Sequence, residues 1–122
     1  MKVSGLNAIT LEPLELEGEV VEIAPLSFWG GVDPATGKII DRHHPQVGLL
    51  LRGKIVVMSR TRGSSSSSSV LAECIRLGTA PAAIILDEPD PIIVVGAMVA
   101  AELYGKQMPV LLKRVPGQWP YP

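Results

Sequence analysis

The sequence predicts an α/β domain in which a small mixed sheet is flanked by helices on one side or both. Two features carry this. The C-terminal half reads strand, helix, strand, helix, strand, the order that winds parallel strands around crossover helices. Within it, Ala82-Ala83-Ile84-Ile85-Leu86 is a short uninterrupted apolar run of the kind buried on both faces. The 122 residues make one domain, residues 1–122, with a single modest core. No repeat marks a solenoid.

Taken in order, Leu14, Leu16, Val20 and Ile23 alternate loosely with Glu15, Glu17, Glu19 and Glu22. Gly18 interrupts the alternation, so a strand is expected over Glu19 to Ile23, its acids on a wet face. From Pro25 to Pro45, glycine, proline and aspartate turn signals surround a short strand from Lys38 to Asp41. Phe28 and Trp29 in this loop are read as core anchors first, and otherwise as an interface plug or pocket wall. His43 and His44 are the only histidines and adjacent, too few for a zinc site by themselves; structural or interface roles are expected, with acid–base work the lesser reading. Asp33, Asp41 and Arg42 are weighed the same way.

Lys54 to Met58 reads as a strand. Val70, Leu71, Cys74, Ile75 and Leu77 recur at helical spacing, and Gly78 ends that helix. Cys74 lies on its apolar side, which predicts a buried, inert thiol. After the strand Ala82 to Leu86, Asp87-Glu88-Pro89-Asp90-Pro91 is a rigid acidic turn. Ile92 to Tyr104 is too long and alanine-rich for a typical strand and is expected to be mainly helix, with Gly96 allowing close packing. Pro109 to Leu112 is the last strand, and Val115 to Pro122 has no regular pattern, either a loose end or a strap over a partner.

Composition narrows the function classes. Hydrophobic residues are 47% and charged ones 19%, with mean hydropathy +0.31, more apolar than a free-standing domain usually is. No run approaches the about eighteen residues of a membrane span, so the surplus points to a partner interface rather than a bilayer. A net charge of −1 with scattered basic residues gives no nucleic-acid footprint. Without a secretory h-region, a cytoplasmic location is expected. Cys74 is the only cysteine, which excludes an internal disulfide and a cluster held by this chain alone. Any metal would come mainly from another chain.

The chemistry concentrates at Thr61-Arg62-Gly63 and the six serines Ser64 to Ser69, which lie between the Lys54 strand and the Val70 helix. A linker there would cut the domain in two. As strand, glycine turn and helix start, the stretch has a purpose: Gly63 permits a conformation barred to other residues, and the serines supply the N-cap and first turn. Unpaired amides and the positive dipole end favour an anion. These amides, with Arg62 nearby, lower the cost of ionising a hydroxyl, which supports Ser64 as a proton acceptor. There is no Gly-x-Ser-x-Gly elbow, no hydrolase triad spacing and no P-loop. Capping combined with low-complexity drift is the plain alternative.

Gly63-Ser64-Ser65 after a strand and before a helix resembles the catalytic corner of the swivelling domain of aconitase-like hydro-lyases. A wider set, Pro25 through Pro34, Gly37-Lys38-Ile39-Ile40-Asp41 with His44-Pro45, Arg62-Gly63-Ser64 and Ala80 through Ile85, is similar to the small subunit of aconitase X from about Gly18 to Pro109. The resemblance implies a swivelling β/β/α domain, with Ser64 as proton acceptor and Arg62, Gly63, Ser65 and Ser66 as substrate-binding residues. It also implies a large subunit that holds an iron or iron–sulfur centre, so this chain binds no metal alone. Two substrates occur in the family, cis-3-hydroxy-L-proline and (R)-5-phosphomevalonate. Phe28-Trp29 and the all-serine run are closer to the bacterial, hydroxyproline branch. Ser66 stands where classical aconitases have a carboxylate-binding arginine, so carboxylate recognition must differ. A partner-stabilising module without catalysis and a stand-alone carboxylate binder are the readings from other classes.

Overall fold

The computed structural model describes residues 1–113; the tail from Val115 to Pro122 lies outside the described residues. Eight strands and three helices follow in the order β1 (Lys2–Asn7), β2 (Pro13–Glu17), β3 (Val20–Glu22), α1 (Phe28–Gly31), β4 (Val32–Asp33), β5 (Lys38–Ile39), β6 (Ile55–Met58), α2 (Ser67–Leu77), β7 (Ala83–Leu86), α3 (Pro91–Tyr104) and β8 (Val110–Lys113). Six strands form one sheet in the order β2-β1-β8-β7-β6-β3, and β4 pairs with β5 apart from it. β3, β6, β7 and β8 run parallel, while β1 and β2 are antiparallel additions, so the sheet is mixed as expected.

Both crossovers, β6–α2–β7 and β7–α3–β8, step to the next parallel strand in the same direction. Right-handedness then puts α2 and α3 on one face of the sheet. There Leu71, Cys74 and Ile75 of α2 and Ile93, Ala97 and Ala100 of α3 bury Val56 and Met58 of β6 and Ile84 and Leu86 of β7. Gly96 is what lets the helices meet: a Cβ there would stand 2.9 Å from the Ser68 carbonyl oxygen.

The other face is covered by the sheet itself. β2 and β3 lie at opposite edges, about 24 Å apart if six strands were flat. Yet Glu17 ends β2 and Val20 begins β3, a link that spans at most about 11 Å. The sheet must therefore roll up. Val3 of β1 and Leu14 and Leu16 of β2 close over Ile55, Ala83, Ile85 and Leu111, a second small core that takes the alternate side chains of β6 and β7. Gly5 permits the tight crossing of β1 over β8, since a Cβ would lie 2.6 Å from the Leu112 carbonyl oxygen. This β1–β2 hairpin is absent from the sequence reading, where the Leu14 to Ile23 alternation was expected to yield one strand. Gly18 divides it into two that belong to opposite edges.

Helix α2 begins at Ser67, three residues before the apolar periodicity, and Gly78 ends it at φ 78° with its N–H on the Cys74 and Ile75 carbonyls. α3 is capped by Asp90, whose side chain accepts from the Ile92 and Ile93 amides, with Pro91 opening the first turn. Its outer side leaves Val95, Met98, Val99 and Leu103 exposed. No helix among the described residues is long and apolar enough to cross a membrane.

Candidate active site at the carboxyl ends of the parallel strands

The carboxyl ends of β3, β6 and β7 open together, as ligand-binding edges of parallel sheets do. β6 continues past Met58 into a single bridge between Thr61 and Leu26, and the Arg62 amide donates to the Leu26 carbonyl at 3.0 Å. The chain then turns at Gly63, where φ is 101°. A Cβ at Gly63 would run into the Ser27 hydroxyl, so no side chain fits the turn.

Beyond the turn, Ser64 is half-buried, and its Oγ accepts the Ser66 amide at 3.0 Å. A hydrogen bond to this oxygen favours its ionised form, the direction a proton acceptor requires. The amides of Ser67 to Val70 are taken by carbonyls of Ser64 to Ser66, at 3.0 to 3.3 Å. Among the described residues, the amides of Gly63, Ser64 and Ser65 at the turn have no protein acceptor. The expected row of free helix-start amides is thus narrower, because the first turn winds tightly and satisfies its own donors. Ser66 occupies the N-cap position without a side-chain cap bond.

Two later serines hold the corner to its neighbours. Ser67, 2% exposed, accepts the Trp29 amide at 3.2 Å, and Ser68 donates to the Ile92 carbonyl at 2.7 Å. Thr61 donates a short hydrogen bond to Asp90, so the α3 cap is tied to the strand end just before Arg62. The aromatic pair divides: Phe28 is fully buried in the core, whereas Trp29 is 59% exposed. Ser27 Oγ donates to the Trp29 carbonyl at 3.0 Å, which fixes that loop from both sides of the residue.

A cleft of about 200 Å³ lies here, lined by Pro25, Ser27, Asp41, Arg62 and Gly63. The structure therefore brings Arg62 and Gly63 into a cleft, places Ser64 next to it in the chain, and leaves Ser65 and Ser66 exposed outside its lining. Pro25 and Ser27 are not site residues in the sequence reading, and Asp41 enters it with structural roles first and acid–base work as the lesser reading. Their only local signal is turn chemistry, which many solvent loops share. His44 is buried and structural: Nε2 donates to the Ala24 carbonyl at 2.8 Å while Nδ1 accepts the Gln46 amide at 3.0 Å. This is the neutral tautomer, and it supports the chain leading to Pro25. His43 beside it is exposed. A larger hollow of about 350 Å³ at the opposite end of the sheet is lined by Ile75, Gly78, Ala80, Pro81, Lys106, Gln107 and Met108; its one charged residue, Lys106, donates to the Arg76 carbonyl at 2.7 Å, and no carboxylate, hydroxyl, thiol or imidazole side chain lines it.

Cys74 is buried, and loss of solvation pushes its thiol up to about 11, against a weaker downward pull from the Thr79 hydroxyl. Two units above the ordinary 9.0 leave about 100-fold less thiolate at neutral pH. Alkylation of the native protein by iodoacetamide at pH 8 is accordingly expected to be at least about 100-fold slower than in denaturant. Equal rates would show an accessible, reactive thiol. Among the described residues, no group of three or more His, Cys, Asp or Glu is placed to hold a metal ion. The donors present do not fit an iron or iron–sulfur centre.

A rolled mixed sheet with the crossover helices α2 and α3 on one face, and a glycine–serine corner at the carboxyl ends of its parallel strands, defines a swivelling β/β/α domain of the aconitase type. Residues 6–118 match the family described as the aconitase X swivel domain, and the chain belongs to that family. It is 54% identical over 85 residues to a cis-3-hydroxy-L-proline dehydratase of Pseudomonas aeruginosa, covering 70% of this chain and 15% of that protein. It is 49% identical over 86 residues to a phosphomevalonate dehydratase small subunit of Pyrococcus abyssi, covering 70% of this chain and 66% of the relative. The crystal structure of Thermococcus kodakaraensis aconitase X in its holo form superposes with a TM-score of 0.75 at 34% identity, over 91% of this chain and 79% of that one.

Proposed function

We propose that this chain is the small subunit of an aconitase X hydro-lyase that dehydrates cis-3-hydroxy-L-proline to Δ1-pyrroline-2-carboxylate, with Ser64 as the proton acceptor. The observation that supports the reading is the Ser64 hydroxyl, which accepts the Ser66 amide and follows directly in the chain on Arg62 and Gly63, two residues of the cleft lining. In the reaction, Ser64 takes the proton from the carbon alpha to the carboxylate. Ser64 acts as its alkoxide and becomes a neutral hydroxyl, while the C–H electrons form the new C=C bond and the C3–O bond breaks. The departing hydroxide takes up a proton, matched when Ser64 gives its own up again, so that one water is lost overall; the enamine then tautomerises to the pyrroline. The positive charge of Arg62 would hold the substrate carboxylate, and the free amides of Gly63 to Ser65 would stabilise negative charge at the serine oxygen. An iron or iron–sulfur centre, if required, belongs to the large subunit, which the resemblance makes the principal partner.

Hydroxyproline is favoured over (R)-5-phosphomevalonate by the identity to the Pseudomonas dehydratase, 54% against 49% for the Pyrococcus abyssi phosphomevalonate subunit. The exposed apolar strip of α3 suits a chain that works inside a larger assembly. The test is to co-express the chain with its large subunit and assay each substrate with and without the small subunit. Turnover of hydroxyproline that needs both chains is expected. Turnover of phosphomevalonate instead would replace the substrate, and full activity of the large subunit alone would leave this chain a non-catalytic module.

A further inference from the structure

The cleft is lined by one acidic and one basic residue, Asp41 and Arg62, which form no ion pair with each other. Among the described residues, the ion pairs are Lys2 with Glu15 and Arg76 with Glu73, both distant in the chain from the cleft-lining Asp41 and Arg62. Asp41 is held rigidly: its Oδ1 accepts the His43 amide at 2.9 Å, and its carbonyl accepts the amide of buried His44 at 3.1 Å. Its second carboxylate oxygen has no donor among the described residues. Arg62 is anchored through its backbone to Leu26, with its guanidinium making no hydrogen bond among the described residues.

Residues of opposite charge that line one small cleft without pairing fit a ligand that carries both signs. We infer that Asp41 is a specificity-determining residue that receives the ammonium of a zwitterionic cyclic α-amino acid, while Arg62 takes its carboxylate. This rests on the hydroxyproline reading above and adds the group that recognises the ring nitrogen. A guanidinium suits a carboxylate through its planar fork, and a carboxylate suits a secondary ammonium through a charge-assisted hydrogen bond. An acid whose second ionic group is a phosphate finds no cation-accepting use for Asp41 and is repelled by it.

The variant Asp41→Asn removes the charge and keeps the turn, because asparagine makes the same side-chain bond to the amide two residues on. In the enzyme assembled with its large subunit, D41N is expected to raise KM for cis-3-hydroxy-L-proline about 10-fold or more, a larger change than in kcat. Inhibition by pyrrole-2-carboxylate, which has the carboxylate but no basic nitrogen, should stay within about twofold of wild type. Arg62→Gln should weaken both ligands. An unchanged KM in D41N with an active wild type overturns the inference and leaves the hydroxyproline reading standing. Equal weakening of substrate and pyrrole-2-carboxylate by D41N also overturns it, as it marks a merely structural role. A wild-type complex that does not act on hydroxyproline overturns both.

Discussion

Replacing Ser64 by alanine is expected to lower turnover of the assembled enzyme about 1,000-fold or more, with little change in KM. The side chain is half-buried, and its one hydrogen bond among the described residues is from the Ser66 amide, which can turn to water when the hydroxyl is removed. Stability should fall by about 0.5–1.5 kcal/mol at most. Assembly with the large subunit should be unaffected. The comparison to make is single-turnover and steady-state dehydration for wild type and S64A, with melting temperatures alongside. Near-normal turnover in a folded, assembled S64A complex would take Ser64 out of the mechanism.

Gly63→Ala is the second change of large effect, and it acts through geometry rather than chemistry. At φ 101° a side chain is strained, and its Cβ would stand 3.0 Å from Ser27 Cβ and closer still to the hydroxyl. Together the strain and the contact are expected to cost about 2–4 kcal/mol, seen as a melting temperature lower by about 6–15 °C. Relief by backbone movement would shift Arg62 and Ser64 together, so turnover should drop about 100-fold even where the protein stays folded. Adding Ser27→Gly removes the collision but leaves the dihedral penalty, and should restore part of the stability. A G63A protein with the wild-type melting temperature and rate would show that the turn is not strained and that the corner tolerates displacement.

The elements that announced themselves in the sequence are those whose pattern is local. Helix α3 was legible because its alanine-rich run exceeds strand length, and β7 because four consecutive residues are apolar and buried on both sides. Gly78 and Gly96 behave as expected, one as a left-handed cap and the other as a close-packing point. The hairpin β1–β2 was not legible. Lys2-Val3-Ser4-Gly5-Leu6-Asn7 carries a glycine that weakens any strand reading, and the purpose of Gly5 is visible only beside Leu112 on β8, more than a hundred residues away. Phe28 and Trp29 are alike in type and adjacent, yet one is buried and the other exposed. Their difference is made by the Trp29 amide reaching Ser67, a contact across 38 residues.

Residue order and periodicity were enough for the α/β class, the family resemblance and the position of the serine corner, because helix and strand periods, glycine turns and a short motif are written in neighbouring residues. That the sheet rolls upon itself, that Asp41 stands in the same cleft as Arg62, and that Ser67 and Ser68 are clamps rather than spare hydroxyls came only from the folded arrangement. These depend on contacts between segments far apart in the chain. No local propensity encodes which distant partner a buried hydroxyl or an unpaired carboxylate will meet.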